Sequence, residues 1–201
     1  GDGTILASSH IAEDIPILGV NSAPEYSVGF FCKTTVNNFN DEIKKVIEDE
    51  TAPKELPLIE TLIDGKPLNN LALNEILFSA KLPAETVRYK ISVGSVTESH
   101  RSSGIWVCAG PGSTAATLSA GGKKLPVDSR NIQFIVREPC PRPDENYRLT
   151  HKILATDEIL SIQSEIPDAV IYIDGPRISH PIPFENKLTF RIAKRRLKIF
   201  L

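Results

Sequence analysis

Residues 1–6 read GDGTIL, and how this turn is read decides how the rest of the chain is read. A Gly-Asp-Gly-Thr run followed by Ile5, Leu6 and ASSHI (7–11) reads as a flexible turn opening a helix, a form that normally follows a buried strand. Two roles stay open for it. In one, Asp2 caps the helix inside an ordinary tight loop. In the other, the glycines let backbone amides approach phosphate oxygens while the helix N-terminus supplies positive potential. A carboxylate beside a phosphate is repelled by it, so Asp2 would then ligate a metal or take a proton from a nucleophilic hydroxyl. No strand-like run precedes Gly1 and the chain contains no Met, so the sequence is expected to be a piece of a longer protein.

Downstream, IPILGVN (15–21) is an apolar run ending in Gly19 and Asn21, which suits a buried parallel strand leading to a loop. NNFNDEIKKVIEDE (37–50) places Phe39, Ile43, Val46 and Ile47 at helical spacing, with Asn38 or Asn40 as N-cap, and predicts a surface helix. To about residue 50 the pattern is α/β. From Pro53 the texture changes to short strand-like runs, LPLIETLI, LALNEILFSA, RYKISVG, GIWVCA, IQFIVREP, AVIYID and KLTFRIA, with Asp64-Gly65 and Asp174-Gly175 as hairpin signals. The expected fold class is therefore α/β plus mostly β, the second part largely antiparallel. A boundary near ETAPKELP separates residues 1–52 from 53–185.

The composition, 41% hydrophobic and 24% charged in 201 residues, is that of a globular chain. A formal charge of -2 argues against a general nucleic-acid surface, the basic tail AKRRLKIF being the exception. No run reaches the roughly 18 apolar residues of a membrane span, and no signal peptide is recognisable, so no membrane partner and a cytoplasmic location are expected. Cys32, Cys108 and Cys140 are odd in number and widely spaced, without the pattern of a disulfide framework or a zinc site. The four histidines lack metal-ligand spacing and read as solvated or structural; no metal-ligating side chains are assigned.

Two further stretches carry chemistry. AGPGSTAATLSAGG (109–122) reads as a glycine-rich entry into a helix of small side chains, with Ser113 and Thr114 at its start able to cap it or to bond a ligand's hydroxyls and phosphates. A tightly packed helix without ligand is the other reading. In LALNEILFS (71–79), Asn74 and Glu75 interrupt an apolar strand, so one of them would face the core unless a ligand lies there. Exposure of both at a sheet edge is the alternative.

GDGTIL, PILGVNSAPEYSVGFF, LALNEI, GPGSTAATLSAGG and IYIDG, in this order over nearly all 201 residues, resemble the NAD kinase family. RSSGIWVCAGPGSTAA and FIVREP resemble the subgroup that includes plant NADH kinases. The resemblance implies a Rossmann-like N-terminal α/β domain, of which residues 1–52 would be a remnant joined by residues from about 186 onward, then a β-sandwich-like domain at 53–185, with the active site between them. It implies phosphoryl transfer from ATP or polyphosphate to the adenosine 2′-hydroxyl of NAD or NADH, with Mg²⁺ or another divalent metal, by a dimer or tetramer. Asp2 would be the base and Gly1, Gly3 and Thr4 the phosphate turn. Leu6, Phe30 and Phe31 would line the pocket, Asn74 and Glu75 would hydrogen-bond the dinucleotide, and Ser113, Thr114, Ala115 and Ser119 would contact its adenosine and ribose. Two departures stand out. Ala115-Ala116 replaces the family's frequent Ala-Tyr, and Ser103 stands where many members carry a carboxylate near the nicotinamide, which implies tolerance of or preference for the uncharged ring of NADH. The competing readings are a lipid or other small-molecule kinase sharing the GDGT turn, and a dinucleotide-binding module without catalysis.

Overall fold

A computed structural model describes residues 1–155 and 157–201. The chain divides into two compact units, Gly1–Leu56 with Lys194–Leu201, and Pro57–Ala193.

The first unit contains α1 (Asp2–Ser9), β1 (Ile17–Leu18), β2 (Val20–Asn21), β3 (Thr34–Thr35) and α2 (Phe39–Ile47). Ile5 and Ser9 are the buried residues of α1. The run expected to form one buried strand at 15–21 is instead broken at Gly19 into two half-buried pieces, and Ile15 is exposed. At the break Gly19 lies so close to the Phe31 carbonyl that a Cβ there would meet its oxygen at 2.5 Å, which excludes a side chain. Both pieces pair in parallel, β1 with residues 199–200 and β2 with β3. The amphipathic α2 follows a 3-10 turn in which the Thr35 amide and hydroxyl both donate to Asn38 Oδ1, at 2.7 and 2.9 Å. None of its residues is buried, as expected of a surface helix. Arg195 donates to the carbonyls of Ser9 and Glu13, placing a cation at the C-terminal end of α1.

The second unit is built on strands β4 (Lys54–Ile63, from Pro57 onward), β5 (Lys66–Ala72), β6 (Glu75–Ala80), β7 (Val87–Val93), β8 (Val96–Ser102), β9 (Gly104–Cys108), β10 (Gln133–Arg137), β11 (His151–Ile153), β12 (Leu160–Ser164), β13 (Ala169–Ile173), β14 (Ile178–Ile182) and β15 (Lys187–Phe200, up to Ala193), with the short α3 (Ala116–Ser119). One sheet runs β5-β4-β15-β12-β7-β8 and the other β11-β10-β9-β6-β13-β14. One buried cluster draws on both: Val87, Tyr89 and Ile91 from the first, Ile76, Phe78, Ile105 and Phe134 from the second. The inward positions of β7 alternate strictly with exposed or half-buried ones. Asp64 and Gly65, at φ +49° and +78°, make the two-residue turn of the β4–β5 hairpin. The β13–β14 hairpin also forms at Asp174-Gly175, but with Ile173 opposite Ile178 its loop has four residues.

Two expectations fail here. LALNEILFSA is not one strand, since β5 ends at Ala72 and the chain turns at Leu73-Asn74 into β6 of the other sheet. Nor does 109–122 form one helix; a 3-10 turn at Pro111–Thr114 is followed by the four-residue α3, the break falling at Ala115.

The histidines of this unit serve structure. His100, 1% exposed, stacks on Tyr147 with ring centroids 3.9 Å apart and bonds Glu98 at 3.0 Å. Burial alone would raise the Glu98 carboxyl, but bonds from His100, the Leu149 amide and both the side chain and amide of Arg148 outweigh it and draw it down to about 2. His151 contacts Gln133 Oε1 and His180 contacts Asn70 Oδ1. The three cysteines are free.

Candidate functional site

In the first unit the GDGT turn opens α1 directly, with Gly1 as N-cap and no side-chain cap. Asp2 therefore does not cap its own helix. Its carboxylate reaches across to the loop before β3, accepting the Phe30 amide at 2.9 Å and the Phe31 amide at 2.8 Å. That loop owes its shape to Gly29, whose φ of +60° and whose contact with Asn21 (a Cβ would lie 2.4 Å from Nδ2) both exclude a side chain. Asn21 in turn donates to the Ser27 carbonyl at 3.0 Å. The result is a carboxylate fixed by two backbone donors, with Gly1, Gly3 and Thr4 exposed beside it and open space where a Cβ of Gly3 would be. Phe30 and Phe31 meet edge to face at 5.0 Å, but only Phe30, 38% exposed, faces solvent; Phe31 is core, and Leu6 is half-buried.

In the second unit Asn74 and Glu75 sit at the corner where the chain passes from one sheet to the other, 8% and 9% exposed. Neither edge exposure nor opposite faces of one strand describes them. Asn74 Oδ1 and Glu75 Oε2 are buried without a hydrogen-bond partner among the described residues. Burial first, and the neighbouring negative charge of Asp174 second, push the Glu75 carboxyl up to about 7. The glycine-rich turn packs against this corner so tightly that a Cβ on Gly112 would lie 1.8 Å from the Asn74 carbonyl oxygen. Ser113, fully buried, donates to the Gly110 carbonyl at 2.7 Å and accepts the Leu125 amide at 2.9 Å, so its hydroxyl fastens this loop and does not cap α3. Thr114 and Ala115 are half-buried and Ser119 is exposed.

A groove of about 350 Å³ runs along the outer face of the second sheet from Glu75 to Ser103, floored by Leu77, Trp106 and Tyr172. Sequence reasoning missed this floor, although β-strand alternation in GIWVC and AVIYI puts Trp106 and Tyr172 on the face opposite the core. Ser103 lies between β8 and β9, another place where the chain changes sheets, its amide donating to the Arg137 carbonyl at 3.0 Å. The Arg137 guanidinium stands 5.6 Å over the Trp106 ring. Among the described residues no three His, Cys, Asp or Glu side chains converge as a metal cage, and no helix is long and apolar enough to cross a membrane.

No protein-family model matches the chain. Over its full length it is 33% identical to the probable NADH kinase of Oryza sativa subsp. japonica, spanning 69% of that protein. The chain belongs to the NAD kinase family. The NADH kinase of Arabidopsis thaliana is 31% identical over 100% of this chain and 70% of its own length. The crystal structure of an NAD kinase from Archaeoglobus fulgidus in complex with ATP matches with a TM-score of 0.80 at 25% identity, over 100% of this chain and 75% of that one. In this member of the NAD kinase family the buried acceptors of Asn74 and Glu75, unpartnered among the described residues, and the exposed turn around Asp2 are the candidate site features of the two units.

Proposed function

We propose that the chain transfers the γ-phosphoryl group of ATP, or a terminal phosphoryl of polyphosphate, to the adenosine 2′-hydroxyl of NAD⁺ or NADH, giving NADP(H). The observation that carries this reading is the Asn74–Glu75 corner, where two buried acceptors lack partners beside a glycine-rich turn pressed onto the same backbone. Leaving such groups unmade costs about 1–3 kcal/mol each, which a ligand's hydroxyls and amines would offset. Near neutral pH Glu75, poised at about 7, can either donate to or accept from a ribose hydroxyl.

Asp2 takes the 2′-hydroxyl proton as that oxygen attacks the γ-phosphorus; the new P–O bond forms, the bond to the β–γ bridging oxygen breaks, and ADP leaves. The Phe30 and Phe31 amides hold the carboxylate in one orientation. Gly1, Gly3 and Thr4 receive phosphate oxygens, Leu6 and Phe30 border the pocket with Phe31 behind them, and Thr114, Ala115 and Ser119 contact adenosine and ribose; Ser113 serves by holding their loop. With no protein cage among the described side chains, the divalent cation is read as arriving with the nucleotide, as Mg-ATP, held largely by substrate phosphates and water. The first unit is read as an α/β nucleotide-binding element and the second as a β-sandwich-like dinucleotide-binding domain. A homo-oligomer and the cytoplasm are part of the proposal and rest on family likeness and composition.

The proposal includes a preference for NADH, resting on Ser103. Ser103 supplies no negative charge of its own to the groove, so the attraction that a carboxylate at this position would offer a cationic nicotinamide is absent, and the neutral reduced ring is at no disadvantage. The test is to incubate the full-length protein with Mg-ATP and equal NAD⁺ and NADH, and to separate NADP⁺ from NADPH by mass-resolved chromatography. NADPH in excess is the expected product. Binding of both dinucleotides with neither product formed, from ATP or from polyphosphate, would replace the kinase by a binding module.

A further inference from the structure

The second Asp-Gly pair forms a hairpin, and its carboxylate is engaged far from it in sequence. Asp174 Oδ2 accepts the Leu73 amide at 2.8 Å, and Oδ1 accepts the amides of Asn74 at 2.7 Å and Glu75 at 3.3 Å, about a hundred positions away in sequence. In return the Asp174 amide donates to the Glu75 carbonyl at 3.0 Å. Three successive donors converge on one carboxylate where the chain changes sheets. With β5 ended at Ala72 and β6 begun at Glu75, the amides of Leu73 and Asn74 fall between the two strands, and Asp174 supplies the acceptor. On the other side of the corner Gly112 closes against the Asn74 carbonyl. The backbone that aims Asn74 and Glu75 is thus gripped from two directions, from one of them by a charge.

We propose that Asp174 is a positioning residue for the dinucleotide site: through three backbone amides it fixes where the Asn74 and Glu75 side chains point, without itself touching the substrate. The inference rests on the reading of Asn74 and Glu75 as dinucleotide ligands. It separates Asp174 from an ordinary turn aspartate, whose carboxylate bonds its own loop. In Asp174→Asn one oxygen remains as an acceptor, but an amide NH₂ replaces the other and sets donor against donor at the corner.

The experiment compares wild type and Asp174→Asn in the full-length protein, measuring KM for NADH, KM for ATP, the dissociation constant of NADH by calorimetry, and thermal unfolding. The expected result is a rise of roughly tenfold in both the KM and the dissociation constant for NADH, since small misplacements of ligating groups carry effects of this size or larger. KM for ATP should stay within about twofold, because the amides bonded to Asp174 belong to the dinucleotide corner and not to the phosphate turn. An unchanged dissociation constant for NADH overturns the inference. So does a variant without a cooperative unfolding transition, which would assign the carboxylate to the fold, or one in which the two KM values rise together. A wild type that binds NADH but forms no NADPH overturns the kinase reading alone, and the dissociation constants still decide the role of Asp174.

Discussion

Asp2 and Asp174, one in each unit, share a device and differ in what surrounds it. Each precedes a glycine, and each accepts successive backbone amides from a distant loop: Phe30 and Phe31 for Asp2, Leu73 to Glu75 for Asp174. Around Asp2, Gly1, Gly3 and Thr4 are exposed, and Gly3, like the Gly175 that follows Asp174, has open space where a Cβ would be. Asp174 instead follows the core residue Ile173 and its bonded amides lead into two buried polar side chains. On the proposed reading the same pair of letters builds a carboxylate that meets a substrate in one place and one that arranges the residues meeting it in the other. What differs is what the bonded amides carry, the aromatic Phe30 and Phe31 for Asp2 but the buried, unpartnered acceptors of Asn74 and Glu75 for Asp174, and the dipeptide alone does not encode that.

The comparison breaks most directly at Asp2. Asp2→Asn should lower turnover by about 10²- to 10⁴-fold, the usual range for a lost general base. Dinucleotide binding should change by no more than about threefold, since the side chain is held by protein amides and takes its proton only during reaction. Steady-state kinetics paired with calorimetric binding of NADH reads both. If binding weakens in step with turnover, Asp2 is a positioning group like Asp174 and the contrast disappears.

The next effect in size is electrostatic and belongs to the second corner. Glu75 has its carboxyl raised from 4.5 to about 7 in the folded chain, by burial first and by Asp174 second. Below about pH 4.5 it is protonated in both folded and unfolded states, and no penalty exists. As pH rises toward 7 the unfolded chain loses the proton and the folded one keeps it, so stability falls; above 7 the loss levels off at about 3 kcal/mol, an upper figure. Glu75→Gln should remove this slope. Urea unfolding at about pH 5 and about pH 8 measures it, and equal pH dependence in wild type and variant would show that Glu75 ionises normally.

How legible these corners were in the sequence depends on how local their causes are. The alternation of Val87, Tyr89, Ile91 and Val93 dictates β7 by itself, and Asp64-Gly65 dictates its hairpin. LALNEILFSA looks like one strand because its letters are nearly continuous in apolarity, while the break is fixed by Asp174 from about a hundred residues away. Strand β8 escaped notice because TESHRS lacks apolar residues, yet His100 and Ser102 are buried there through bonds to Glu98 and Tyr89. The motifs themselves, GDGT, Asn74-Glu75 and GPGST, could be named from sequence. Ser113 was named there as a ligand contact, and only the Leu125 amide, twelve residues on, shows that its hydroxyl is already engaged.

The smallest expected effects sharpen the contrast through the glycines beside the two sites. Gly3 lies in α1 with nothing within 4 Å of where an added methyl would stand, so Gly3→Ala should leave the fold as stable or more so, by about 0.5–1 kcal/mol from helix propensity. Gly112→Ala forces a Cβ to within 1.8 Å of the Asn74 oxygen, so backbone must move, at a cost of about 1–3 kcal/mol. If Gly3 is kept for phosphate, the stabler variant should be the one that loses ATP affinity, while Gly112→Ala should lose stability and NADH affinity together. Chemical denaturation with separate titrations of ATP and NADH distinguishes the two patterns. Full ATP affinity in Gly3→Ala would mean that the turn beside Asp2 is open without being a phosphate site, and the difference between the two carboxylates would then rest on Asp2 alone.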